Sequence, residues 1–347
     1  MTDSTSPLSA RVSAPTQLPV VEHADVPVWR AATVADVEAL WELEKAMGRA
    51  DHPNYVVERA QVREIFDFSF VDVATDTVVG LEADGRMVAY GFVLLSPGQQ
   101  TLVKSNLAGG VLPEMRGRGI GRELFAWQVA RARQQLATSP TMLPGWVCAS
   151  CDERAPQTGR LYERAGLVCT RYFLSLDRML ADPIREFEPA DGIRLAPYTA
   201  GLSSAVHAAR DSAFMDHWSS QPVPDESWNA FVTAPSFDDE LSFVAFGAEP
   251  GGSEHVVGFI LSSVNEDDWA AAGYRSSYIS LVGVLAEWRG RRIAQALLSA
   301  QLTASRAAGY ERATLDVDST SPTGALGLYT GMGFFATHRE LAYVLEL

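Results

Sequence analysis

A long internal repeat constrains this chain of 347 residues more than any other feature of its sequence. The stretch GGVLPEMRGRGIGRELFAWQ at 109–128 recurs as VGVLAEWRGRRIAQALLSAQ at 282–301, an offset of 173 residues. Further along, TGRLYERAGL at 158–167 recurs within TGALGLYTGMGF at 323–334. Two ordered matches at nearly one spacing predict two domains built on one plan, and the length of the chain agrees with that number.

Each copy shows the same order of predicted elements around the repeated stretch. Apolar runs predict strands before and after it, and the glycine-rich loop leads into a helix, which spans about 118–136 in the first copy. The first copy also has a helix opened by Thr33 and a hairpin that turns at Asp84-Gly85. The sequence therefore predicts α/β units with a strand, a glycine-rich turn and a helix at the centre of each sheet.

Composition sets the expected boundaries. Residues 1–24 are rich in Ser, Thr and Pro, lack the basic start and apolar middle of a signal peptide, and are predicted to be a flexible tail. The first domain is assigned to 25–181 and the second to 192–347. The prolines and charges of 182–191 predict a linker between them.

The net charge of −15 limits the possible partners. The chain carries a net charge of −4 up to Asp182 and −11 after it, a field that repels nucleic acid and anionic membranes. The arginines at 116–122 are therefore expected to hold one small anion, not a polyanion. No apolar run has membrane-spanning length, so the sequence predicts a cytoplasmic protein with no membrane partner.

Three cysteines cannot form a disulfide framework. Cys148 and Cys151 have Cys-x-x-Cys spacing, but no second ligand pair for zinc and no helix start for a redox dithiol accompanies them. We therefore expect buried or bystander thiols and no metal site, and reduced thiols agree with a cytoplasmic location.

The repeated loop has the chemistry of a pyrophosphate cradle. Amides at the start of a helix, together with the helix dipole, attract anions, and glycines let the backbone approach closely. Neither a Walker loop nor a complete dinucleotide-binding signature is present. The pattern Arg116-x-x-Gly119-x-Gly121 resembles the acyl-CoA loop of the GNAT acetyltransferase superfamily, Gln/Arg-x-x-Gly-x-Gly/Ala after a strand. GRLYERAGL at 159–167 likewise resembles the Leu-Tyr-x-x-x-Gly-Phe segment of that superfamily.

The resemblance covers nearly the whole chain as two tandem copies, an arrangement similar to that of mycothiol synthases and of acetyltransferases of actinobacterial secondary metabolism. It implies two tandem GNAT-fold domains, each a mixed, mainly antiparallel central sheet flanked by helices. It also implies that acetyl-CoA, or another acyl-CoA, is the co-substrate. The residues that it assigns to acyl-CoA binding are Gly110, Val111, Arg116, Gly117, Arg118, Gly119, Ile120, Gly121, Arg122, Val284, Arg289, Gly290, Arg291, Arg292, Ile293 and Ala294.

The second loop departs from the family pattern, because Arg292 stands where the first glycine is required, whereas Ala294 is permitted. If that position needs positive φ or close approach, Arg292 weakens cofactor binding. Alternatively, its side chain points outward and adds a phosphate contact. The competing interpretation of both loops is a solvated arginine face on a helix.

The resemblance implies that the strand before each loop diverges from its neighbour and holds the thioester. Tyr162 and Tyr329 would then be general acids for the leaving sulfur, unless they are simply packed aromatics. The strands before the loops offer no glutamate as a general base. The candidates in the second copy are His217, Asp216, Asp211, Asp316 and Asp318. Direct attack by an amine that loses its proton to water needs none of them.

These observations predict an acyl-CoA-dependent N-acyltransferase that modifies the amine of a small metabolite, expected to be cationic because the second copy is so acidic. A protein N-acetyltransferase, or an acyl-CoA-binding sensor without turnover, is the alternative. The net negative charge of the chain argues against DNA binding through the arginines. The oligomeric state stays open, and a monomer is compatible with two domains that can pair within one chain.

Overall fold

A computed structural model describes the protein. The described residues are 6–52, 55–249, 251–321 and 323–347. The chain divides into two compact units. The first contains Met1–Arg171 and Glu340–Leu347, and the second contains Tyr172–Arg339.

The predicted strands and helices occur in the predicted order in each copy, and the structure also has helices at 8–11, 73–76, 225–233 and 267–272 that were not predicted from the sequence. The strands are β1 (Val28–Arg30), β2 (Thr77–Leu81), β3 (Met87–Leu94), β4 (Val103–Val111), β5 (Gly145–Asp152), β6 (Val168–Met179), β7 (Arg194–Pro197), β8 (Phe237–Gly247), β9 (His255–Ser263), β10 (Ser276–Val284), β11 (Arg312–Asp318) and β12 (Phe335–Glu346). The α-helices are α1 (Leu8–Arg11), α2 (Val37–Asp51), α3 (Arg59–Asp67), α4 (Val73–Asp76), α5 (Ile120–Leu136), α6 (Pro156–Arg164), α7 (Ser203–Ala213), α8 (Asp225–Thr233), α9 (Asp267–Ala272), α10 (Ile293–Ala307) and α11 (Ala325–Gly331).

The sheet of the first unit runs in the order β1, β2, β3, β4, β5 and then the Glu340–Glu346 part of β12. All its neighbours are antiparallel except the parallel pair β4 and β5. Helix α5 covers one face, where a Cβ added at Gly91 would meet Leu124. Helix α2 covers the other face, where a Cβ added at Gly110 would meet Met47.

The second unit repeats this plan in the order β7, β8, β9, β10, β11 and then the Phe173–Met179 part of β6. Its neighbours are antiparallel except the parallel pair β10 and β11. Each unit also has a buried apolar core of its own, with Ile120 and Leu136 in the first and Phe259 and Leu297 in the second. The predicted fold class, a mixed and mainly antiparallel sheet flanked by helices in each of two copies, is confirmed.

The last strand of each unit comes from the other copy of the repeat. Residues 172–179 end the sheet of the second unit, and residues 340–346 end that of the first. The predicted domains 25–181 and 192–347 are uninterrupted runs of chain, which these units are not. Hydrophobic alternation predicts that a strand exists, but it does not identify the sheet that the strand joins.

The predicted flexible tail is packed against the first unit from residue 6 onward, whereas residues 1–5 lie outside the described residues. Leu8 is fully buried, and Val12 and Val21 are nearly so. The Arg11 guanidinium donates hydrogen bonds to the carbonyl oxygens of Leu143 at 2.5 Å and Leu347 at 3.2 Å. Scattered apolar residues anchor a segment whose overall composition is that of a loop.

Local signals explain two elements that position the site. Thr33 and Asp36 form a capping box that opens the helical turn leading into α2, as the sequence predicts. Gly85 has φ 89° in the turn between β2 and β3, as the Asp-Gly pair predicts. No helix in the described ranges is long and apolar enough to cross a bilayer.

Candidate acyl-CoA site

The first loop follows directly from the end of β4. A short 3-10 turn, Pro113–Met115, leads into the loop, and α5 begins at Ile120. Gly117 and Gly119 have φ values of 78° and 102°, a region that disfavours side chains. A Cβ at Gly117 would have no atom within 4 Å, so the loop is open on that side.

The amide groups of this loop are available to a ligand. Within the described part of the chain, the N–H groups of residues 117–121 have no hydrogen-bond partner. The first amides of a helix have no partner inside the helix, and the positive end of the helix dipole lies among them. This arrangement fits the pyrophosphate of an acyl-CoA.

The second loop has the same backbone shape. Gly290 has φ 78°, and Arg292 has φ 60° and ψ 17°, the left-handed conformation that Gly119 adopts in the first copy. The position therefore does require positive φ, and Arg292 accepts it at a cost of about 1 kcal/mol. Its side chain is exposed to solvent. The amides of 290–294 also have no partner among the residues that the structure describes.

The first arginine of each loop fastens the end of its strand. Arg116 Nε donates to the Val111 carbonyl at 2.9 Å, and its terminal nitrogens contact both Asp51 oxygens at 2.6 and 2.8 Å. Arg289 repeats this with the Val284 carbonyl at 3.2 Å and with an oxygen of Asp216 at 2.8 Å. Their assignment to phosphate stays a prediction, as does a catalytic role for Asp216.

The remaining loop arginines lie at the surface with weaker contacts. Arg118 reaches Asp25 at 3.4 Å, Arg122 pairs with the neighbouring Glu123, and Arg291 lies 4.4 Å from the centre of the Trp288 ring. Such exposed pairs contribute little to stability and can exchange for a phosphate.

The strand before each loop diverges from its parallel neighbour, as the resemblance implied. Strands β4 and β5 pair only as far as Asn106 and Cys148, although β4 continues to Val111. Strands β10 and β11 pair only as far as Tyr278 and Thr314, although β10 continues to Val284. Gly110 and its neighbours therefore lie on a strand edge that the described part of β5 does not cover, beside the loop amides.

Tyr162 lies close to the first loop. It belongs to α6, its hydroxyl donates to the Ser150 carbonyl at 3.2 Å, and its ring centre is 4.8 Å from that of Phe125 on α5. Leu161, the preceding residue, would be 3.7 Å from a Cβ at Gly121. Burial raises the pKa of Tyr162 well above the ordinary value of a phenol.

Tyr329 has the corresponding place on α11 in the second unit. Its ring centre lies 5.8 Å from that of Phe334, and burial raises its pKa to about 12. Both tyrosines therefore keep their protons at neutral pH, as a general acid must. Both are also packed aromatics, so burial by itself does not separate the two interpretations.

The predicted base candidates of the second unit fall into different environments. His217 is half-buried, its ring is stacked 4.7 Å from that of Phe214, and burial lowers its pKa. Asp211 accepts hydrogen bonds from Arg210 and from the Val223 amide, so it holds the loop after α7. A catalytic role for His217 stays a prediction.

Two aspartates project from β11. Asp316 is exposed and accepts hydrogen bonds from Tyr278 at 2.9 Å and Ser175 at 2.5 Å. Asp318 is buried: its Oδ1 accepts from the Thr320 amide, whereas its Oδ2 has no partner in the described residues. A buried carboxylate oxygen without a hydrogen-bond partner lowers the stability of the folded state, and a bound ligand could supply that partner. Asp318 is therefore a candidate binding group.

Glu44 on α2 was not among the site residues predicted from the sequence. Its carboxyl group accepts a hydrogen bond from the Tyr90 hydroxyl, and burial raises its pKa to about 7. The available signal was its spacing, because Glu44 is four residues after Leu40 and three before Met47, both buried. An acidic residue on the buried stripe of a helix is unusual.

Burial disfavours the thiolate form of two of the three cysteines. Cys148, Cys151 and Cys169 are free, and burial raises the pKa of Cys148 to about 11 and that of Cys151 to about 12. The described residues contain no group of three or more His, Cys, Asp or Glu side chains placed to hold a metal ion.

Known proteins are similar to this chain in sequence and in architecture. Residues 204–334 match the model of the acetyltransferase (GNAT) family. Mycothiol acetyltransferase of Tsukamurella paurometabola is 28% identical over 67% of this chain and 75% of its own. That of Nocardia farcinica is 26% identical over 76% and 80%.

Solved structures of GNAT proteins are also similar to this chain. A GCN5-related N-acetyltransferase from Sphaerobacter thermophilus is 26% identical, covers 92% of this chain and 95% of its own, and has a TM-score of 0.68. A tandem GNAT protein from the clavulanic acid biosynthesis pathway has a TM-score of 0.63 at 14% identity, covering 92% and 98%, a likeness of fold alone.

Proposed function

Because this chain is a tandem GNAT protein and an acetyltransferase, we propose that it transfers an acetyl group from acetyl-CoA to the amine of a small, cationic metabolite. The single observation that carries the proposal is the loop at Gly117 and Gly119 with its unpartnered amides, beside a strand edge that no described strand covers. Free amides beside an uncovered strand edge support an acyl-CoA site more than they support the competing interpretation, a solvated arginine face on a helix.

The proposed reaction is direct attack. The neutral amine nitrogen bonds to the thioester carbonyl carbon, and the bond from that carbon to sulfur breaks. The sulfur leaves with the proton of Tyr162 or Tyr329, and the surplus proton of the new nitrogen restores the phenol through water. Burial has raised the pKa of each phenol, so giving up its proton to a thiolate is uphill, but the attacking nitrogen is then strongly acidic and compensates.

Charge supports the choice of acceptor. The acidic second unit attracts cations, and Asp316 and Asp318 project from one strand of it. The relatives named above as mycothiol acetyltransferases also support a small-molecule acceptor for this chain. We propose the soluble interior of the cell as the place of action, where acetyl-CoA is available.

The test measures the release of CoA thiol from acetyl-CoA with a panel of small primary amines. Wild-type protein is expected to turn over, and Tyr162→Phe or Tyr329→Phe to lose about 100-fold in kcat if that unit performs catalysis. Tyr310→Phe, at a half-buried ring of the second unit whose centre lies 6.0 Å from that of Trp269, is the matched control. Equal losses in both site variants would contradict a single working unit.

Binding separates the alternatives. Calorimetry with acetyl-CoA should give one or two sites per chain, and Gly121→Glu should remove the first by placing a carboxylate among the loop amides, whereas Gly121→Ala should not. Binding without thiol release from any amine would mean a sensor. Turnover with lysine peptides alone would mean a protein acetyltransferase. No binding would contradict the proposed function.

A further inference from the structure

A cavity on the α2 side of the first unit has no assigned role. It has a volume of about 140 Å³ and lies between α2, α3, β3 and β4. Most of its wall is apolar and includes Leu40, Val62, Ile65, Phe92 and Ala108. Since an apolar cavity of about 150 Å³ holds one benzene molecule, this one accommodates a compact apolar group of about that size.

The cavity lies beside the strand to which the thioester is assigned. Ala108, in its wall, belongs to the part of β4 beyond its pairing with β5. Tyr90, also in the wall, is directly opposite Gly110 across β3 and β4. A Cβ at Gly110 would be 2.6 Å from the sulfur of Met47, so α2 packs closely on this strand. A ligand in the cavity therefore lies next to the reacting segment.

One acidic group faces this apolar space. The Glu44 carboxyl accepts a hydrogen bond from the Tyr90 hydroxyl. The other polar side chain in the wall, Gln61, uses its Oε1 to accept the Glu58 amide at 3.1 Å, closing the start of α3. A carboxylate among apolar walls reduces stability unless a ligand uses it.

The second unit shows that the fold does not need this acidic group. Opposite Gly283, where the first unit has Tyr90, stands Phe259, which has no hydroxyl. Counted from the first residues of α2 and α7, the counterpart of Glu44 is Arg210, whose guanidinium donates to the Gln221 carbonyl at 2.8 Å. The carboxyl with its tyrosine partner is therefore particular to the first unit.

We propose that the cavity is the acceptor site of the first unit and takes a primary amine on a compact apolar body, with Glu44 receiving the proton of the amine. The inference rests on the proposed function. A proton moves from the ammonium group to the Glu44 carboxylate, and the freed electron pair attacks the acyl carbon. The carbon–nitrogen bond forms, the carbon–sulfur bond breaks, and the sulfur leaves with the proton of Tyr162. The remaining surplus proton of the new nitrogen restores that phenol through water, and Glu44 returns its own proton to water. Tyr90 orients the carboxylate.

The test titrates benzylamine into the full chain saturated with CoA and follows the heat. Wild-type protein is expected to bind, and Glu44→Gln and Ala108→Phe to bind at least tenfold more weakly, one by loss of charge and one by filling the space. Glu42→Gln is the control, because Glu42 is exposed on the same helix and pairs with Lys45. Circular dichroism checks that each variant is folded, and Tyr90→Phe gives a second, milder disruption.

Two results would overturn the inference: no benzylamine binding by wild-type protein, or equal affinity in wild type and Glu44→Gln. The thiol-release assay tests the proposed acetyl transfer separately from binding in the cavity. Wild-type rates in Glu44→Gln with every amine would remove the role of the cavity and leave acetyl transfer in place. Benzylamine binding that depends on Glu44, without thiol release from any amine, would keep the site and remove the proposed turnover.

Discussion

Gly119 and Arg292 occupy the same left-handed position at the start of corresponding helices, with φ values of 102° and 60°. The two residues differ completely in chemistry, yet the loop keeps its shape and leaves its amides available in both units. The backbone conformation of this position is thus a property of the repeat, and only the side chain has changed.

Replacing each of these residues by the other's type should have opposite effects on the stability of the folded chain. Arg292→Gly relieves a left-handed side chain, and we expect unchanged or slightly higher stability, within about 1 kcal/mol, with acetyl-CoA binding at the second loop retained. Gly119→Arg forces a side chain to φ near 102°, farther from the left-handed minimum, and should lower stability by about 1 to 2 kcal/mol. Urea unfolding and calorimetric stoichiometry measure both. Loss of binding in Arg292→Gly would show that the arginine itself holds phosphate.

The fold was largely predictable because it is repeated and locally encoded. The capping residues at Thr33 and the turn at Gly85 are set by neighbours in sequence, and the repeat fixed the order of elements. The sheet that receives each last strand was not predictable, because β6 and β12 have the same alternation wherever they pair. The burial of Leu8 could not be predicted from the sequence either, because burial depends on contacts with residues that are distant in the chain.

The candidate site was predictable where its chemistry lies in the backbone. Glycine spacing at Gly117 and Gly119 reports directly on dihedral angles, and the structure has the expected left-handed residues. Side-chain partners are set by tertiary contacts instead. The bond between Arg116 and Asp51 joins residues 65 apart, and that between Tyr90 and Glu44 joins residues 46 apart. No local pattern indicates either pair.

Glu44 should make stability fall as pH rises. Its pKa is about 7 in the folded chain and ordinarily 4.5, so between these values the folded state binds more protons than the unfolded one. The groups around it in the cavity wall, Tyr90 and Gln61, are uncharged in this range. Glu44→Gln should therefore be more stable than wild type at pH 8, by about 1 to 3 kcal/mol, and equal to it near pH 4. Chemical unfolding at several pH values measures this, with Glu42→Gln as control; parallel curves would contradict it.

His217 should act in the opposite direction. Burial lowers its pKa below 6.5, partly opposed by Asp318, so the unfolded chain binds more protons in the window just below 6.5. Stability should rise with pH through that window and should rise less in His217→Asn. The nearby charges of Arg210, Arg289 and Asp216 remain in both proteins. Thermal unfolding from pH 5 to 7 tests it.

The aspartates that end β5 and β11 should respond differently to the same substitution. Asp152 is buried and bound through both oxygens by Arg154 at 2.9 and 2.8 Å, whereas Asp318 leaves Oδ2 without a partner in the described residues. Asp152→Asn loses charge-assisted bonds and should destabilise the first unit by about 1 to 3 kcal/mol. Asp318→Asn keeps the Oδ1 acceptor for Thr320, removes the charge from a buried carboxylate whose Oδ2 has no partner in the described residues, and should leave the second unit unchanged or more stable.

Hydrogen exchange of the β5 and β11 amides measures the local stability of the two units separately. Faster exchange in β5 of Asp152→Asn, with β11 of Asp318→Asn unchanged, is the expected pair of results. Equal destabilisation in the two variants would mean that Asp318 Oδ2 is paired in solution. If Asp318→Asn instead retains its stability but loses affinity for cationic amines, the unpaired oxygen serves the acceptor, because binding is then the only property that the charge supports.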